Sequence, residues 1–227
     1  MKLSVIIAVF NEKNTIKQVF DTVKNVDLGS VEKEIIIVDD SSTDGTRDIL
    51  KGLENSCKVI YHEKNKGKGG AMKTGIKVAT GDMMIIQDAD LEYSPSDYPA
   101  LIKPIIEGAA DMVLGIRDVR GLVSEYQVNK FGNDLITWTT HLLYGRRARE
   151  YLGGYKVFSR RVIDAIEVKT NDFDYDTELV CKAWRRGYKN AEVLIKYNPR
   201  SYEEGKKINM KHGFLILWTT FKYRFID

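Results

Sequence analysis

The sequence predicts an α/β protein with a Rossmann-like, mostly parallel sheet flanked by helices. Three observations predict it. Residues 3–9 form a continuous apolar run of the kind buried on both faces of a parallel sheet. Strand-like and helix-like segments then alternate in βαβαβαβ order through residue 114. Polar and acidic motifs recur where strands should end, at Phe10-Asn11-Glu12, Asp39-Asp40 and Asp88-Ala89-Asp90. In open parallel sheets that carboxyl-end rim is where ligands bind.

The elements follow in order. After the strand at 3–9, Ile16, Val19, Phe20, Val23 and Val26 recur at helical spacing. A strand at 34–38 is closed by Asp39-Asp40, and the turn at 42–45 offers Thr43 or Asp44 to cap the next helix. That helix buries Ile49, Leu50 and Leu53. A strand at 58–61, a helix at 70–79 ended by Gly81-Asp82, and a strand at 83–86 come next. A helix at 95–107 sets Tyr98, Leu101, Ile102 and Ile105 on one face, and 112–114 is a short strand. The second half is less regular. It reads as an amphipathic helix at 128–144, a helix at 176–186 with Leu179, Val180 and Ala183 inward, and a strand at 193–197. Residues 210–225 mix aromatic residues with Lys211, Lys222 and Arg224. That stretch fits a helix packed on the core or one lying on a membrane surface.

The interlocking motifs and the 4 scattered prolines among 227 residues argue for a single domain, 1–227. A net charge of +3 gives no reason to expect nucleic acid as a partner, although basic pairs concentrate late, at Arg146-Arg147, Arg160-Arg161, Arg185-Arg186 and Lys206-Lys207. Cys57 and Cys181 lack zinc-like spacing and read as buried thiols in a reducing compartment. The first apolar run is too short for a signal h-region, and no run approaches the roughly 20 residues of a membrane span. The expectation is a cytoplasmic protein or one peripheral to the cytoplasmic membrane face.

Asp88-Ala89-Asp90 is the chemical centre. In extended backbone, residues two apart face the same side, so two carboxylates can meet one cation across a small residue. Hard oxygen ligands suit Mg2+ or Mn2+, which also bridge phosphate oxygens. The Asp39-Asp40 stretch, continuing through Asp44-Gly45, offers a carboxylate to a nucleobase edge or serves as an acidic turn. Residues 65–74, rich in glycine and lysine, fail the phosphate-loop pattern because Met72 stands where glycine is needed. They read as a loop leaning on an anionic ligand or as a plain helix start.

Together, Ala8-Val9-Phe10-Asn11-Glu12, Asp39-Asp40-Ser41-Ser42-Thr43-Asp44-Gly45-Thr46, Asn65-Lys66-Gly67-Lys68-Gly69 and Asp88-Ala89-Asp90 resemble family 2 glycosyltransferases of the GT-A fold. The likeness is strong through roughly residue 120. It continues through Leu152-Gly153-Gly154-Tyr155-Lys156 and Pro199-Arg200-Ser201-Tyr202, which look most like the dolichol-phosphate mannose synthase branch and its polyprenyl-phosphate relatives. The resemblance implies a nucleotide-sugar-binding half at 1–117 and an acceptor-binding half at 118–227. Ala8, standing where the family usually has proline, would line the nucleotide pocket with Phe10 and Glu12, and Asp39 would meet a uracil or guanine base. Lys68 and Ala89 would touch the donor, a UDP- or GDP-linked sugar. Asp88 and Asp90 would hold the metal with Glu92 as a third ligand. Arg117, Lys130 and Arg200 would hold the acceptor phosphate, lysine at 130 keeping the charge of the family's arginine without its fork.

The activity so implied is an inverting transfer of a hexose to a polyprenyl phosphate, dolichyl or undecaprenyl, with Asp90 and Arg117 at the reaction. A phosphate nucleophile needs no strong base. A hydroxyl acceptor would, and Asp176, beside Asp174 and Glu178, lies near where hydroxyl-acceptor relatives place one. Those acids equally fit an ordinary helix N-terminus. A non-catalytic nucleotide-sugar-binding protein is the reading from another class, and the intact Asp88/Asp90 pair argues against it. A nucleotidyltransferase would need a glycine- and arginine-rich N-terminal loop that is absent.

Overall fold

The computed structural model describes residues 1–119, 125–146, 148–150, 152–199 and 210–226, with backbone only at 125–131, 133 and 210–211. Seven strands form one sheet in the order β3-β2-β1-β4-β6-β5-β7. They are β1 (Lys2–Val9), β2 (Glu32–Asp39), β3 (Lys58–Tyr61), β4 (Met83–Asp88), β5 (Met112–Arg117), β6 (Lys156–Ser159) and β7 (Asn190–Ile195). All pairings are parallel except those of β6, which runs antiparallel between β4 and β5. The predicted mostly parallel α/β sheet is therefore the observed one.

The apolar run of β1 serves two layers because side chains alternate across a strand. Leu3, Val5, Ile7 and Val9 join one core cluster, and Ile6 joins the other. The first cluster is covered by α1 (Ile16–Asn25), α2 (Thr46–Lys51) and α4 (Tyr98–Ile106). The second is covered by α3 (Lys68–Val78), α6 (Arg160–Ala165) and α7 (Tyr175–Arg185), with α5 (Glu125–Tyr144) and α8 (Met210–Phe225) adding Ile136, Ile216 and Leu217.

Several boundaries differ from the sequence expectation for local reasons. Val26 is apolar and in phase, yet its ψ of 130° ends α1. The helix expected at 95–107 opens with a 3-10 turn at Pro95–Asp97, before which the Ser94 hydroxyl accepts from the Ser96 amide. The last strand lies at Asn190–Ile195 rather than 193–197, because Met112↔Asn190 sets its register on β5. Tyr197 instead bridges Tyr93. Strand β6 was unforeseen, since four residues, Lys-Val-Phe-Ser, carry no readable period. Among the described residues no helix is long and apolar enough to cross a membrane.

Candidate active site

The loops after β1 and β2 are stitched to each other along the rim. The Asn11 amide donates to Ser42 Oγ at 2.9 Å, and Asn11 Oδ1 accepts from the Thr43 amide at 2.8 Å. The Glu12 amide donates to Thr46 Oγ1 at 3.0 Å. Asn11 (φ 55°) and Ser41 (φ 69°) adopt the left-handed conformation to make these turns. That conformation costs roughly 1–2 kcal/mol per residue, least for asparagine with its local hydrogen bonds. Gly45 occupies the cap position of α2, and Asp44 Oδ1 accepts from the Thr46 amide at 3.0 Å. Phe10 is exposed beside this seam, while Glu12 and Ala8 are half-buried.

The two aspartates at the end of β2 have different duties. Asp39 is fully buried and accepts from Arg47 Nε at 2.7 Å. Arg47 also donates to the His62 carbonyl and lies over the Tyr61 ring. Asp40 Oδ1 accepts from the Lys66 amide at 2.9 Å and meets His62 Nδ1 at 2.7 Å. Asp40 thus fixes the β3–α3 loop. Arg47 and His62 carry no local motif, and their pairing with these aspartates was not visible in the sequence.

The glycine-rich segment opening α3 is explained by packing. A Cβ on Gly69 would lie 2.7–2.9 Å from backbone atoms of residues 170–172, and the Gly70 amide donates to the Asn171 carbonyl at 3.2 Å. The glycines let a neighbouring loop approach, and one amide of the helix N-terminus is already taken. Lys68 turns toward the aspartates instead: its Nζ donates to Asp88 Oδ1 at 2.6 Å.

At the end of β4 the Asp88 carboxylate therefore already faces a cation. Burial, with Asp88 and then Glu92 adding repulsion, pushes the Asp90 carboxyl up to about 7. Asp90 Oδ1 accepts from the Glu92 amide at 3.1 Å, closing a turn that holds Leu91 at φ 65°. Among the described residues no group of three or more His, Cys, Asp or Glu side chains is gathered for a metal ion, so the pair Asp88/Asp90 stands without a gathered third ligand. The donor set still suits a divalent ion. Mg2+ is commonly held by one or two carboxylates plus substrate phosphates, and the Lys68 ammonium stands where positive charge is demanded.

Beneath Asp88, the side-chain oxygen Oε1 of Gln87 accepts from the Tyr98 and Tyr155 hydroxyls at 2.6 and 2.7 Å. Gly154 passes beside the carboxylate, where a Cβ would lie 2.9 Å from Asp88 Oδ2 and 2.5 Å from Tyr93 Cε2. The Gly154 amide donates to the Tyr93 hydroxyl at 3.0 Å. Burial pushes that hydroxyl's pKa far up, so it stays protonated. Tyr93 packs on Tyr197, over which the Arg117 guanidinium lies. Arg117 Nε donates to Glu150 Oε1 at 2.8 Å, in a pair whose side chains are both 11% exposed. The buried Lys156 ammonium donates to the Gly153 carbonyl at 2.5 Å and to Asp176 Oδ2 at 2.6 Å. The Gly153-Gly154 segment thus touches the surroundings of Asp88, Arg117 and Asp176 together.

The other acids of α7 are structural. Glu178 accepts from the Lys169 and Thr170 amides at 2.9 Å each and pairs with the buried Lys182 at 2.6 Å. Asp174 accepts from the Thr170 and Thr219 hydroxyls at 2.7 and 2.5 Å, tying α8 to α7. Glu150, Lys156 and Tyr93 escaped the sequence reading; only the proximity of Glu150 and Lys156 to Gly153-Gly154 hinted at them. Lys130 lies in α5 where only backbone is described, and Arg200 lies outside the described residues.

Residues 4–166 match the model of glycosyl transferase family 2. The chain belongs to that family. Its sheet is the GT-A fold, and the chain is a glycosyltransferase. It is 31% identical over 224 residues to an uncharacterized protein of Methanocaldococcus jannaschii, covering 96% of this chain and 90% of that one. It is 30% identical over 235 residues to the UDP-N-acetylglucosamine–dolichyl-phosphate N-acetylglucosaminyltransferase of Methanococcus voltae, covering 94% and 92%. It is 30% identical over 215 residues to the dolichol-phosphate mannosyltransferase of Pyrococcus furiosus, covering 91% of this glycosyltransferase and 59% of that relative. The latter two belong to the branch that the later motifs resemble. Among solved structures, glucosyl-3-phosphoglycerate synthase of Mycobacterium tuberculosis with Mn2+, UDP and phosphoglyceric acid superposes with a TM-score of 0.75 at 21% identity, covering 100% of this chain and 79% of that one. The same protein with Mg2+ and UDP gives 0.72 at 20% identity, covering 100% and 80%.

Proposed function

We propose that this glycosyltransferase moves a hexose from a UDP- or GDP-linked donor to a polyprenyl phosphate, with inversion at the anomeric carbon. The observation that carries the acceptor half of this reading is the state of Asp176. Oδ2 accepts from the buried Lys156 ammonium and Oδ1 from the Thr177 amide at 2.7 Å. A carboxylate engaged in this way is a poor candidate to take a proton from a hydroxyl. A phosphate oxygen arrives already ionised and needs only cationic positioning. The names of the Methanococcus and Pyrococcus relatives support the same acceptor class.

In this reading residues 1–117 take the donor and 118–227 the acceptor. Asp88 and Asp90 would hold Mg2+ or Mn2+, with Glu92 near enough to Asp90 to act on its charge. The bound ion supplies charge stabilisation for the departing diphosphate. Lys68, displaced from Asp88, gives its ammonium to the same diphosphate. Phe10, Ala8, Glu12 and Ala89 line the donor side. Asp39 serves the base directly or through Arg47, which it holds. Arg117, with Lys130 and Arg200, positions the acceptor phosphate. Its oxygen forms the new bond to the anomeric carbon from the face opposite the leaving group. The bond to the diphosphate breaks, and the nucleoside diphosphate leaves with the electron pair. The place of action is the cytoplasmic face of the membrane.

The test is transfer of radiolabel from UDP- and GDP-linked sugars, with Mg2+ or Mn2+, to polyprenyl phosphate and to hydroxyl acceptors in parallel. Product on the lipid phosphate, retained within about tenfold in Asp176→Asn, is the expected result. Transfer confined to hydroxyl acceptors, and lost by roughly 10²–10⁴ in the same variant, overturns it.

A further inference from the structure

We propose that Glu192 and His141 are positioning residues for the transfer: from two sides they clamp the segment 148–150, whose Glu150 aims Arg117 at the acceptor phosphate. The proposal deepens the reading of Arg117 as an acceptor-phosphate residue, on which it rests, by naming what fixes its direction.

Residues 148–150 belong to no helix or strand, yet each is tied to a different element. The Ala148 amide donates to His141 Nε2 of α5 at 2.9 Å, and the Ala148 carbonyl lies 2.6 Å from the same nitrogen. Without a proton that nitrogen accepts from the amide; with one it donates to the carbonyl. Either form holds Ala148, so the contact is a tether. The Arg149 amide donates to Glu192 Oε1 of β7 at 2.5 Å, and Arg149 Nε donates to Oε2 at 2.9 Å. The Glu150 carboxylate takes the Arg117 amide on Oε2 at 3.2 Å and Arg117 Nε on Oε1 at 2.8 Å.

The sheet turns these ties into a lever on Arg117. Strands β5 and β7 are parallel neighbours, with Leu114 opposite Glu192 and Arg117 opposite Ile195. Glu192 therefore stands three residues back from Arg117 along the sheet, roughly 10 Å. Consecutive Cα atoms are about 3.8 Å apart, so a tie at 149 fixes where 150 can lie. Ala148 packs in the core, but a cleft lined by His141, Ala148, Arg149 and Glu192 opens beside the segment, so packing alone does not hold it. The Glu192 side chain is 17% exposed against 70% for Arg149. The exposed ion pair adds little, whereas a backbone amide on a shielded carboxylate makes a strong, charge-assisted bond. Beyond Glu150 the chain has no slack to give. A Cβ on Gly153 would lie 2.5 Å from the Gly115 carbonyl oxygen, so that residue is pressed onto β5. A displacement at 149 must then pass to Glu150 and through it to Arg117.

The experiment is a double-mutant cycle between Glu192→Ala and Glu150→Gln, read as steady-state transfer to a short-chain polyprenyl phosphate in detergent. Glu192→Ala is expected to lower kcat/KM for the acceptor by roughly tenfold, less than the 10² that a full 1 Å misplacement costs, with the donor KM unchanged. Glu192→Gln keeps an oxygen for the Arg149 amide and restores most of the rate. His141→Leu loses a comparable factor, and His141→Gln, whose amide nitrogen can reach the same carbonyl, recovers it. In the Glu150→Gln background Glu192→Ala adds little, because residues acting through one partner are not additive. Unchanged acceptor kinetics in Glu192→Ala, equal losses on donor and acceptor, or full additivity in the cycle overturns the proposal. Thermal melts verify folding, and His141→Leu carries the same cycle if Glu192→Ala melts below the assay temperature. The Arg117 Nε–H resonance, identified by its loss in Arg117→Lys, separates the two readings without turnover. If it moves in Glu192→Ala while wild type transfers nothing to polyprenyl phosphate, the clamp stands and the lipid-phosphate acceptor falls. If wild type transfers and the resonance stays unmoved in Glu192→Ala, the clamp falls and the acceptor stands.

Discussion

On the donor side, Asp39 ends β2 and Asp88 ends β4, with Asp40 and Asp90 close behind, so the sheet sets their place. On the acceptor side Arg117 also ends a strand, but its direction is set by Glu150, 33 residues away in sequence. Asp176 opens α7 and is held by Lys156, 20 residues away. At the metal motif Asp90 is repelled by Asp88 and Glu92 even with Lys68 beside Asp88, whereas Arg117 and Asp176 are each matched by a partner inside the protein. The difference teaches that substitutions at Asp90 should remove chemistry and spare the fold. Acceptor-side substitutions should leave a charge unmatched in the interior and cost both.

The largest effect tests the first half of that contrast. Asp90→Asn should lower kcat/KM by roughly 10³ by weakening the metal site, and Mn2+ binding followed by electron paramagnetic resonance should weaken with it. The melting temperature without metal should stay level or rise, because one of two repelling carboxylates is gone. A fall of several degrees would show that the pair is structural and would break the comparison.

Gly154 lies where the two sides meet. Gly154→Ala places a methyl 2.5 Å from Tyr93 and 2.9 Å from Asp88 Oδ2. A shift of about 1 Å in a reacting group costs roughly 10²-fold in rate, and overpacking costs about 1–3 kcal/mol. Steady-state kinetics with a urea melt should show both losses at once. A rate loss without destabilisation would place Gly154 wholly on the donor side.

These two variants also separate what was legible in the sequence from what was not. Asp88 and Asp90 could be read because their chemistry is local: a strand ends, and two carboxylates two residues apart follow. The alternating sheet was legible for the same reason, through apolar runs and helical periods. Gly154, Glu150 and Lys156 act through space. A glycine's role depends on which side chain lies over it, and the partner of a buried lysine depends on the tertiary fold. Strand β6, which brings these residues to Asp88, takes its stability from β4 and β5 rather than from a pattern of its own. The glycines of α3 were misleading in the opposite sense. They resembled an anion cradle, yet their need is the close passage of residues 170–172.

Glu150→Gln sharpens the second half of the contrast. The amide keeps the shape but removes the charge facing Arg117, both side chains being mostly buried. Stability should fall by about 2 kcal/mol, the scale of a charged hydrogen bond lost in a shielded site. Transfer should fall by roughly tenfold as Arg117 loses its fixed direction, about the cost of a 1.4 kcal/mol change in positioning. A thermal melt and initial rates at saturating donor suffice. Unchanged stability with faster transfer would show that Glu150 restrains Arg117 instead of aiming it.

The smallest effect comes from a carboxylate that belongs to neither side. Glu34, on β2 at the end away from the rim, accepts from Ser4 Oγ at 2.6 Å, the Thr80 amide at 2.8 Å and Lys2 Nζ at 3.3 Å. Burial alone would raise its pKa, but the hydrogen bonds from Ser4, Thr80 and Lys2 outweigh it and hold the carboxyl down at about 2. A carboxyl depressed in the folded state stabilises above its unfolded pKa, and that stability is lost as pH falls through the folded value. Wild type should therefore exceed Glu34→Gln by about 1 kcal/mol at pH 7, allowing for solvent screening of a partly exposed strand end. The gap should close between about pH 4.5 and pH 2. Paired urea melts across that range measure it, with transfer activity at pH 7 unchanged. A loss of transfer here would mean that the amino-end hydrogen bonds of β1 and β2 help to set the rim, and that donor-side positions depend on distant partners as acceptor-side ones do.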